Sequence, residues 1–458
     1  MKINAIVLAA GKGTRMRSLN NDVSKVGYKI LGKPLINWVL DAAAPVINGR
    51  TVVVVGFAGE HTASLVEGRA EIAWQHEQKG TGHAIMQTKD LLGEEDGVTF
   101  ILSGDVPLIT QYSLRKMLET HTENKNDLTV LTADLTNPHG YGRIVRTEKG
   151  NVAGIVEQAD LKESETSISE VNAGMYVFDN KKLFAELDNL NTDNKQGELY
   201  LTDTIKLFNQ KGYKVGAHVL RDENEMLGTN DRVQLSEAAT LLKRRVNKQL
   251  MLEGVTIVDP ENTYISPDTK IAEDTVIHPG TTILGKSFIG NANEIGPNTY
   301  LENVNIGSNN TITMSHITDS TIAHDNTVGP FARLRQNSIV SNNVRLGNYV
   351  ELKNTRLNDG VKVAHFTYLG DSFVDEGANI GAGTITANYD GKNKLETKIG
   401  KNVFIGSNST LIAPLVIGDG AYVAGGSTIN QDVPGDALAI ARSKQTNKAN
   451  YAKRFRKK

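Results

Sequence analysis

The sequence predicts an α/β protein in two halves: a mostly parallel sheet with helices on both faces, one connecting helix, then a parallel β-helix. Three observations carry that prediction. From residue 3 to about 220, short β-branched runs alternate with helical stretches. From Asp231 to Gly254, one long stretch keeps apolar residues at helical spacing. Beyond it, aliphatic residues recur every six positions.

In the first half the runs INAIVLA, TVVVV, VTFIL and DLTVLTA are separated by PLINWVLDAA, GHAIMQTKDLL and SLRKMLET. Strands that alternate with helices pair in parallel, because each crossover helix carries the chain back to the same edge. In DRVQLSEAATLLKRRVNKQLMLEG, the residues Leu235, Ala238, Leu241, Leu242, Val246 and Leu250 share a helical face, and Gly254 is a natural stop. These signals predict domains at 1–230 and 254–440, a linker helix at 231–253, and a basic tail at 441–458.

The six-residue beat begins with Ile265, Ile271, Ile277, Ile283, Ile289, Ile295 and Leu301. It slips by a residue in places and returns with Val328, Leu334, Val340, Leu346 and Leu352, then with Ile399, Ile405, Leu411, Ile417, Val423 and Ile429. Neither an α-helix nor an alternating strand has that period. It fits a β-helix in which each hexapeptide forms one short face and turns its aliphatic inward, with about eighteen residues per coil. Asn and Gly cluster between the aliphatics because corners need residues that tolerate positive φ. The polar stretch TANYDGKNKLETK, Thr386 to Lys398, leaves the beat as a loop, where solenoids collect ligands or partners.

Lys and Arg number 50 against 52 Asp and Glu, a formal net charge of −2, so the overall balance offers no nucleic-acid footprint. The exception is the tail, with Lys444, Lys448, Lys453, Arg454, Arg456, Lys457 and Lys458, read as a solvated terminus. The absence of cysteine excludes disulfides, thiolate metal sites and a cysteine nucleophile. No apolar run is long enough to span a bilayer and no signal-type segment opens the chain, so a soluble cytoplasmic protein is expected.

LAAGKGTRM, Leu8 to Met16, places a Gly-Lys-Gly-Thr-Arg loop after a strand. It lacks the third glycine of a dinucleotide fingerprint and the spacing of a P-loop. It remains a turn with Lys12, Arg15 and Lys25 available to neutralise phosphates, or a tight connection only. Asp105, just past the strand Val98 to Leu102, stands where open α/β sheets bind ligands. A single carboxylate there suits Mg²⁺, which takes its other ligands from water and phosphate, though a capping role is the alternative.

The segments LAAGKGTRM, LGKPLI, QKGTGHAI, SGDVPL, GYGRIV, GIVEQ and VNAGMYVF occur in the order seen in sugar-1-phosphate nucleotidyltransferases. With PFARLR, VELKNT, AHFTYLGD and NIGAGTITANYDG in the second half, the chain resembles the bifunctional N-acetylglucosamine-1-phosphate uridylyltransferases and glucosamine-1-phosphate N-acetyltransferases. The resemblance implies a Rossmann-like nucleotidyltransferase sheet and a left-handed β-helix. It also implies UTP, acetyl-CoA and Mg²⁺ as ligands, and a homotrimer whose acetyl sites are built by adjoining subunits. Neither nucleic acid nor membrane insertion is expected.

By that resemblance Leu8, Ala9, Ala10 and Gly11 hold the nucleotide backbone-first, Arg15 and Lys25 its phosphates, and Gln75, Gly80 and Thr81 the uracil. Ser103 and Gly104 border the reacting phosphates, and Asp105 with Asn230 ligates Mg²⁺. Gly142, Glu157 and Asn172 bind the sugar. In the second half His365 is the general base, because an amine must lose its proton to attack a thioester and an imidazole titrates near neutral pH. Arg335 and Lys353 clamp the sugar phosphate, while Tyr368 and Asn379 contact the sugar. Ala382, Asn388, Tyr389, Ser407, Gly425 and Arg442 line the acetyl-CoA site, with Lys394 from the protruding loop.

Three positions depart from the family pattern. The segment from Met16 to Lys25 is a few residues longer than the family's usual spacing, with Ser24 in place of the typical proline, so Arg17 and Lys29 are alternatives to Lys25. Gly425 replaces a common alanine and Ala387 a common cysteine, both small-for-small. Two other readings stand beside the bifunctional one. One is a single-activity sugar-1-phosphate nucleotidyltransferase with a regulatory or oligomerising β-helix; the other is a non-catalytic scaffold on the same two folds.

Overall fold

The computed structural model describes residues 1–456 except positions 21, 149 and 196, so Lys457 and Lys458 of the basic tail lie outside the described residues. The chain forms two compact units, Met1–Leu242 and Lys243–Lys458.

In the first unit the strands run in the order Val215–Val219, Leu128–Asp134, Glu170–Asp179, Val98–Ser103, Ile3–Ala9, Thr51–Val55 and Glu71–Trp74. Ile3–Ala9 lies between two parallel neighbours, which puts the end of the first strand near the middle of the sheet. Side chains alternate between the faces as the pleat dictates. Ala5, Val7, Val53, Phe100 and Leu102 enter one buried cluster, and Ile6, Val52, Val54, Ile101 and Phe178 the other.

The mostly parallel expectation meets one exception. Glu170–Asp179 is antiparallel to both neighbours, and an antiparallel ribbon, Arg143–Arg146 with Val152–Val156, is attached to it. Among the described residues no α-helix lies between Asp134 and Glu170. Without a crossover helix the chain returns in the opposite direction.

The helix Arg232–Leu252 starts where Asp231 Oδ1 accepts from the N–H groups of Val233 and Gln234, each at 2.9 Å. In the first unit its Ala238 and Leu242 join Ile30, Leu35 and Leu108. In the second unit Leu250 joins the core that runs through the β-helix.

That second unit is the left-handed parallel β-helix, with nine strands on one face and nineteen shared by the other two among the described residues. Every aliphatic of the six-residue beat is buried. Burying one such side chain stabilises by about 1.5–3 kcal/mol, so the column is the unit's main source of stability. The slips fall at corners. Five-residue steps such as Leu301 to Ile306, Leu352 to Leu357 and Leu369 to Val374 pass corners turned by one positive-φ residue, Asn303, Asn354 or Asp371. Leu334 to Val340 uses two, Gln336 and Asn337, and keeps six.

Buried asparagines also serve between corners. Asn326 donates to Asn310 and Asn310 to Asn293, each at 3.0 Å, so the stacked amides satisfy one another. Among the described residues no helix is long and apolar enough to cross a membrane.

One buried titratable group makes the first unit acid-sensitive. His121, on the helix Gln111–Glu123, lies 2.9 Å from Thr129 Oγ1, and burial pushes its pKa down to about 4. The neutral ring's contribution is complete above about pH 6.5, the unfolded value, and is lost as pH falls toward 4. That loss amounts to roughly 3 kcal/mol. Both tryptophans, Trp38 and Trp74, lie in this unit, so fluorescence-detected urea unfolding reports it selectively. The midpoint is expected to fall between pH 6.5 and 4, and His121→Gln to flatten that dependence.

Candidate functional site

At the carboxyl end of Ile3–Ala9, residues Leu8, Ala9, Ala10 and Gly11 line a cleft of about 370 Å³ with Lys12, Lys25, Gln75, Gly80, Thr81, Ser103 and Asp105. A Cβ on Gly11 would meet nothing within 4 Å, so the backbone there is open to a ligand. Gly13 has φ +60°, and a Cβ on it would stand 2.8 Å from Lys25 Cβ. Only glycine permits both that conformation and the close passage of Lys25. Gln75, almost fully buried, donates through Nε2 to Gly80 O at 3.1 Å. Thr81 Oγ1 accepts from Leu201 N at 3.0 Å.

Four distant segments meet at one charged junction. Thr229 N and Oγ1 both donate to Asp105 O, at 2.9 and 3.1 Å, which docks Asn230 beside Asp105. Asn230 Oδ1 accepts from Lys25 Nζ and from an Arg15 guanidinium nitrogen, each at 2.8 Å, and Lys25 also pairs with Asp105. Two side-chain oxygens, Asp105 Oδ2 and Asn230 Oδ1, therefore converge on a single ammonium. That donor set fits Mg²⁺, which binds through one or two protein oxygens and completes its shell with phosphate and water. Among the described residues there is no cluster of three or more His, Cys, Asp or Glu side chains, so an ion at the junction must draw most ligands from elsewhere.

Lys25, and neither Arg17 nor Lys29, reaches this junction; those two are exposed and line neither adjacent cavity. The longer segment before Lys25 walls off a side cavity of about 250 Å³ with Ser18, Asn20 and Val23, and the lysine still arrives. Gly104 is not among the cleft-lining residues; its N–H donates to Leu8 O at 3.0 Å.

A second cavity of about 530 Å³ shares Leu8, Thr81, Ser103 and Glu198 with the first and continues to Glu157, Asn172 and Tyr176. Its far wall is the antiparallel segment. Gly142 O accepts from Asn172 N at 2.9 Å, and Asn172 Nδ2 donates to Tyr176 Oη at 2.8 Å. Burial raises the Glu157 pKa, with Asp160 and Asp203 adding to the rise and the Thr202 hydroxyl opposing it.

In the β-helix the residues fall into columns. His365, Ala382, Ser407 and Gly425 each immediately precede a positive-φ corner residue, namely Phe366, Gly383, Asn408 and Gly426. Backbone bonds Gly383 N to Phe366 O, Asn408 N to Ala382 O and Gly426 N to Ser407 O stack these corners directly. At about 4.8 Å per coil the column is roughly 14 Å long. After the imidazole its side chains are only methyl, hydroxymethyl and hydrogen, leaving a bare track beside the exposed His365. Arg442 closes the far end, donating to Gly425 O at 2.6 Å.

Arg335 and Lys353 stack on successive coils, with Gly370 next. A Cβ on Gly370 would lie 2.4 Å from Tyr368 Oη and 2.7 Å from Asn388 Nδ2, so glycine is what lets those two approach. Tyr389 and Lys394 face each other across the protruding loop, the ammonium 4.0 Å from the ring centroid. Asn379 stacks on Lys362 and beneath Phe404, on the face before the His365 corner, whereas Arg335, Lys353 and Tyr368 lie on the face after it. One chain does not gather all four.

Sequence reasoning missed Asp371 and Asn348. Asp371 accepts from Asn354 at 2.8 Å and from Asn388, and lies 3.5 Å from Lys353 Nζ. Burial works to raise its pKa, but the Asn354 and Asn388 hydrogen bonds and the Lys353 charge prevail and hold it below the usual carboxylate value. The repeat offered a signal for both: each lies one coil from a residue already singled out.

The family model for Nucleotidyl transferase matches residues 4–235, and that for Bacterial transferase hexapeptide (six repeats) matches residues 396–431. Curated relatives match almost end to end. The chain is 47% identical over 448 residues to "Bifunctional protein GlmU" of Streptococcus thermophilus (strain ATCC BAA-491 / LMD-9), covering 98% of this chain and 97% of that one. It is 46% identical over 457 residues to the protein of the same name from Brevibacillus brevis, covering 100% and 98%.

Gly13→Ala tests the junction. Forcing a Cβ into the left-handed conformation costs about 1–2 kcal/mol and pushes Lys25 away from Asp105 and Asn230. The variant is expected to unfold at a slightly lower temperature and to lose most of any further thermal shift that added nucleotide gives the native protein.

Proposed function

The chain belongs to the family of bifunctional GlmU proteins, and from that premise we propose that it makes UDP-N-acetylglucosamine by two reactions. In the β-helix, glucosamine 1-phosphate is acetylated by acetyl-CoA. In the first unit, UMP is transferred from UTP to N-acetylglucosamine 1-phosphate and pyrophosphate is released. The observation that carries the reading is the column of His365, Ala382, Ser407 and Gly425 ending at Arg442. It offers a base at one end, a cation at the other, and between them a track bare enough for an extended thioester.

For acetyl transfer, His365 accepts the proton of the amine as its nitrogen attacks the thioester carbon and the carbon–sulfur bond breaks. Arg335 and Lys353 hold the sugar phosphate, and Asp371 keeps Lys353 and Asn388 oriented. Asn379 lies across the corner from Tyr368, which favours a homotrimer in which a second copy completes the site.

For uridylyl transfer, a phosphate oxygen of the sugar attacks the α-phosphorus of UTP and the bond to the β-phosphate bridge breaks. Two polyanions must be aligned and their repulsion offset. Arg15 and Lys25 supply positive charge, Gln75, Gly80 and Thr81 hold the base, and Glu157 and Asn172 hold the sugar in the adjoining cavity. Asp105 and Asn230 would hold Mg²⁺, which neutralises phosphate charge when bound. Lys25 then leaves Asp105 for the phosphates. Free UTP and acetyl-CoA point to the cytoplasm as the place of action.

The two reactions separate by mutation. His365→Ala is expected to lower release of CoA thiol by roughly 100-fold or more and to leave pyrophosphate release unchanged. Asp105→Ala is expected to do the reverse. A single-activity nucleotidyltransferase would release no thiol from acetyl-CoA in any form of the protein.

A further inference from the structure

We propose that Asn348 is a positioning residue for acetyl transfer, holding His365 in the tautomer that leaves Nε2 free to take the amine proton. The inference rests on the assignment of His365 as the base. His365 Nδ1 lies 2.9 Å from Asn348 Oδ1. An amide oxygen only accepts, so the ring nitrogen facing it carries the hydrogen and the lone pair sits on Nε2. An imidazole without such a partner favours the opposite tautomer, with the proton on the nitrogen that must act as base.

The fold makes this contact rigid. Asn348 and His365 are register partners on Arg345–Lys353 and Lys362–Gly370, which pair parallel across the corner. These are the longest strands of the β-helix among the described residues, each of nine residues. The next corner residues, Phe331, Tyr349 and Phe366, have φ of 61°, 55° and 46°, unusual for bulky side chains. Their rings interact in sequence, Phe331 with Tyr349 at 5.2 Å and Tyr349 with Phe366 at 6.5 Å. This aromatic ladder secures the corner at the level where the imidazole stands.

The choice of an amide has a chemical consequence. Along the column the positions flanking this pair are Pro330 and Ala382, and neither they nor Asn348 carries a charge. Asn348 thus orients the ring while stabilising the imidazolium less than a carboxylate would. The proton taken from the amine at Nε2 is therefore readily passed to the thiolate sulfur that leaves as CoA. A carboxylate in its place would retain the proton on the ring.

Four proteins test this: the native chain, Asn348→Ala, Asn348→Asp and His365→Ala. In Asn348→Ala, kcat for acetyl transfer is expected to fall roughly 10-fold or more, with both KM values within about twofold. Asn348→Asp should recover part of kcat and move the acid limb of the kcat/KM profile up by about one pH unit. Nitrogen-15 spectra of the native protein should show His365 protonated at Nδ1. An unchanged kcat in Asn348→Ala, an unmoved limb in an Asn348→Asp protein that still binds CoA, or a native ring protonated at Nε2 would each overturn the proposal. If His365→Ala stays active, the base assignment itself fails. If His365→Ala is inactive while Asn348→Ala behaves as native, only the role of Asn348 fails.

Discussion

The parallel register of stacked coils is the constraint on which the second half of the molecule depends. Beyond the first coil, strand register from one coil to the next holds residues 16 to 18 apart, or 25 across the protruding loop, in a vertical column. A column can therefore carry a chemical sequence that the linear chain scatters. His365, Ala382, Ser407 and Gly425 are far apart in sequence and adjacent in space. The same register places Arg335 over Lys353 and Asn348 beside His365. The aliphatic core and the functional surface are two sides of one periodicity, so the interaction that stabilises the unit also aligns its chemistry.

In the first unit the organising element is a junction of opposite charges. Lys25, Arg15, Asp105 and Asn230 come from three loops and from the start of the long helix segment, and they meet because Thr229 is tied to the carbonyl of Asp105. Lys25 occupies the oxygens that would otherwise face one another with no cation between them. This arrangement keeps the junction assembled before a nucleotide arrives, and phosphate offers the lysine an alternative partner. The antiparallel strand next to it lines the adjoining cavity, so the departure from a purely parallel sheet coincides with the second cavity of the cleft.

Much of this was legible in the chain itself. The six-residue beat marked the β-helix because its period leaves every inward residue aliphatic, and the helix from Asp231 declared itself through spacing and a capping carboxylate. The glycine-rich loop and Asp105 were legible as the ends of strands. The direction of Glu170–Asp179 was not, since strand polarity is set by the absence of a crossover helix and leaves no mark within the strand. Nor could the sequence choose among Arg17, Lys25 and Lys29, because the path of a longer loop decides which lysine or arginine arrives. Asn348 and Asp371 escaped for a related reason: their partners lie one coil away, and hydrogen bonds between coils have no local signature.

The central claim is that the small residues following His365 form the acetyl-CoA track. Calorimetric titration of CoA into Gly425→Leu tests it most directly, because a leucine would project from the column at the coil where Arg442 closes it. The account predicts at least a tenfold loss of CoA affinity, with uridylyl transfer by the first unit unaltered. Native affinity for CoA in that variant would contradict it.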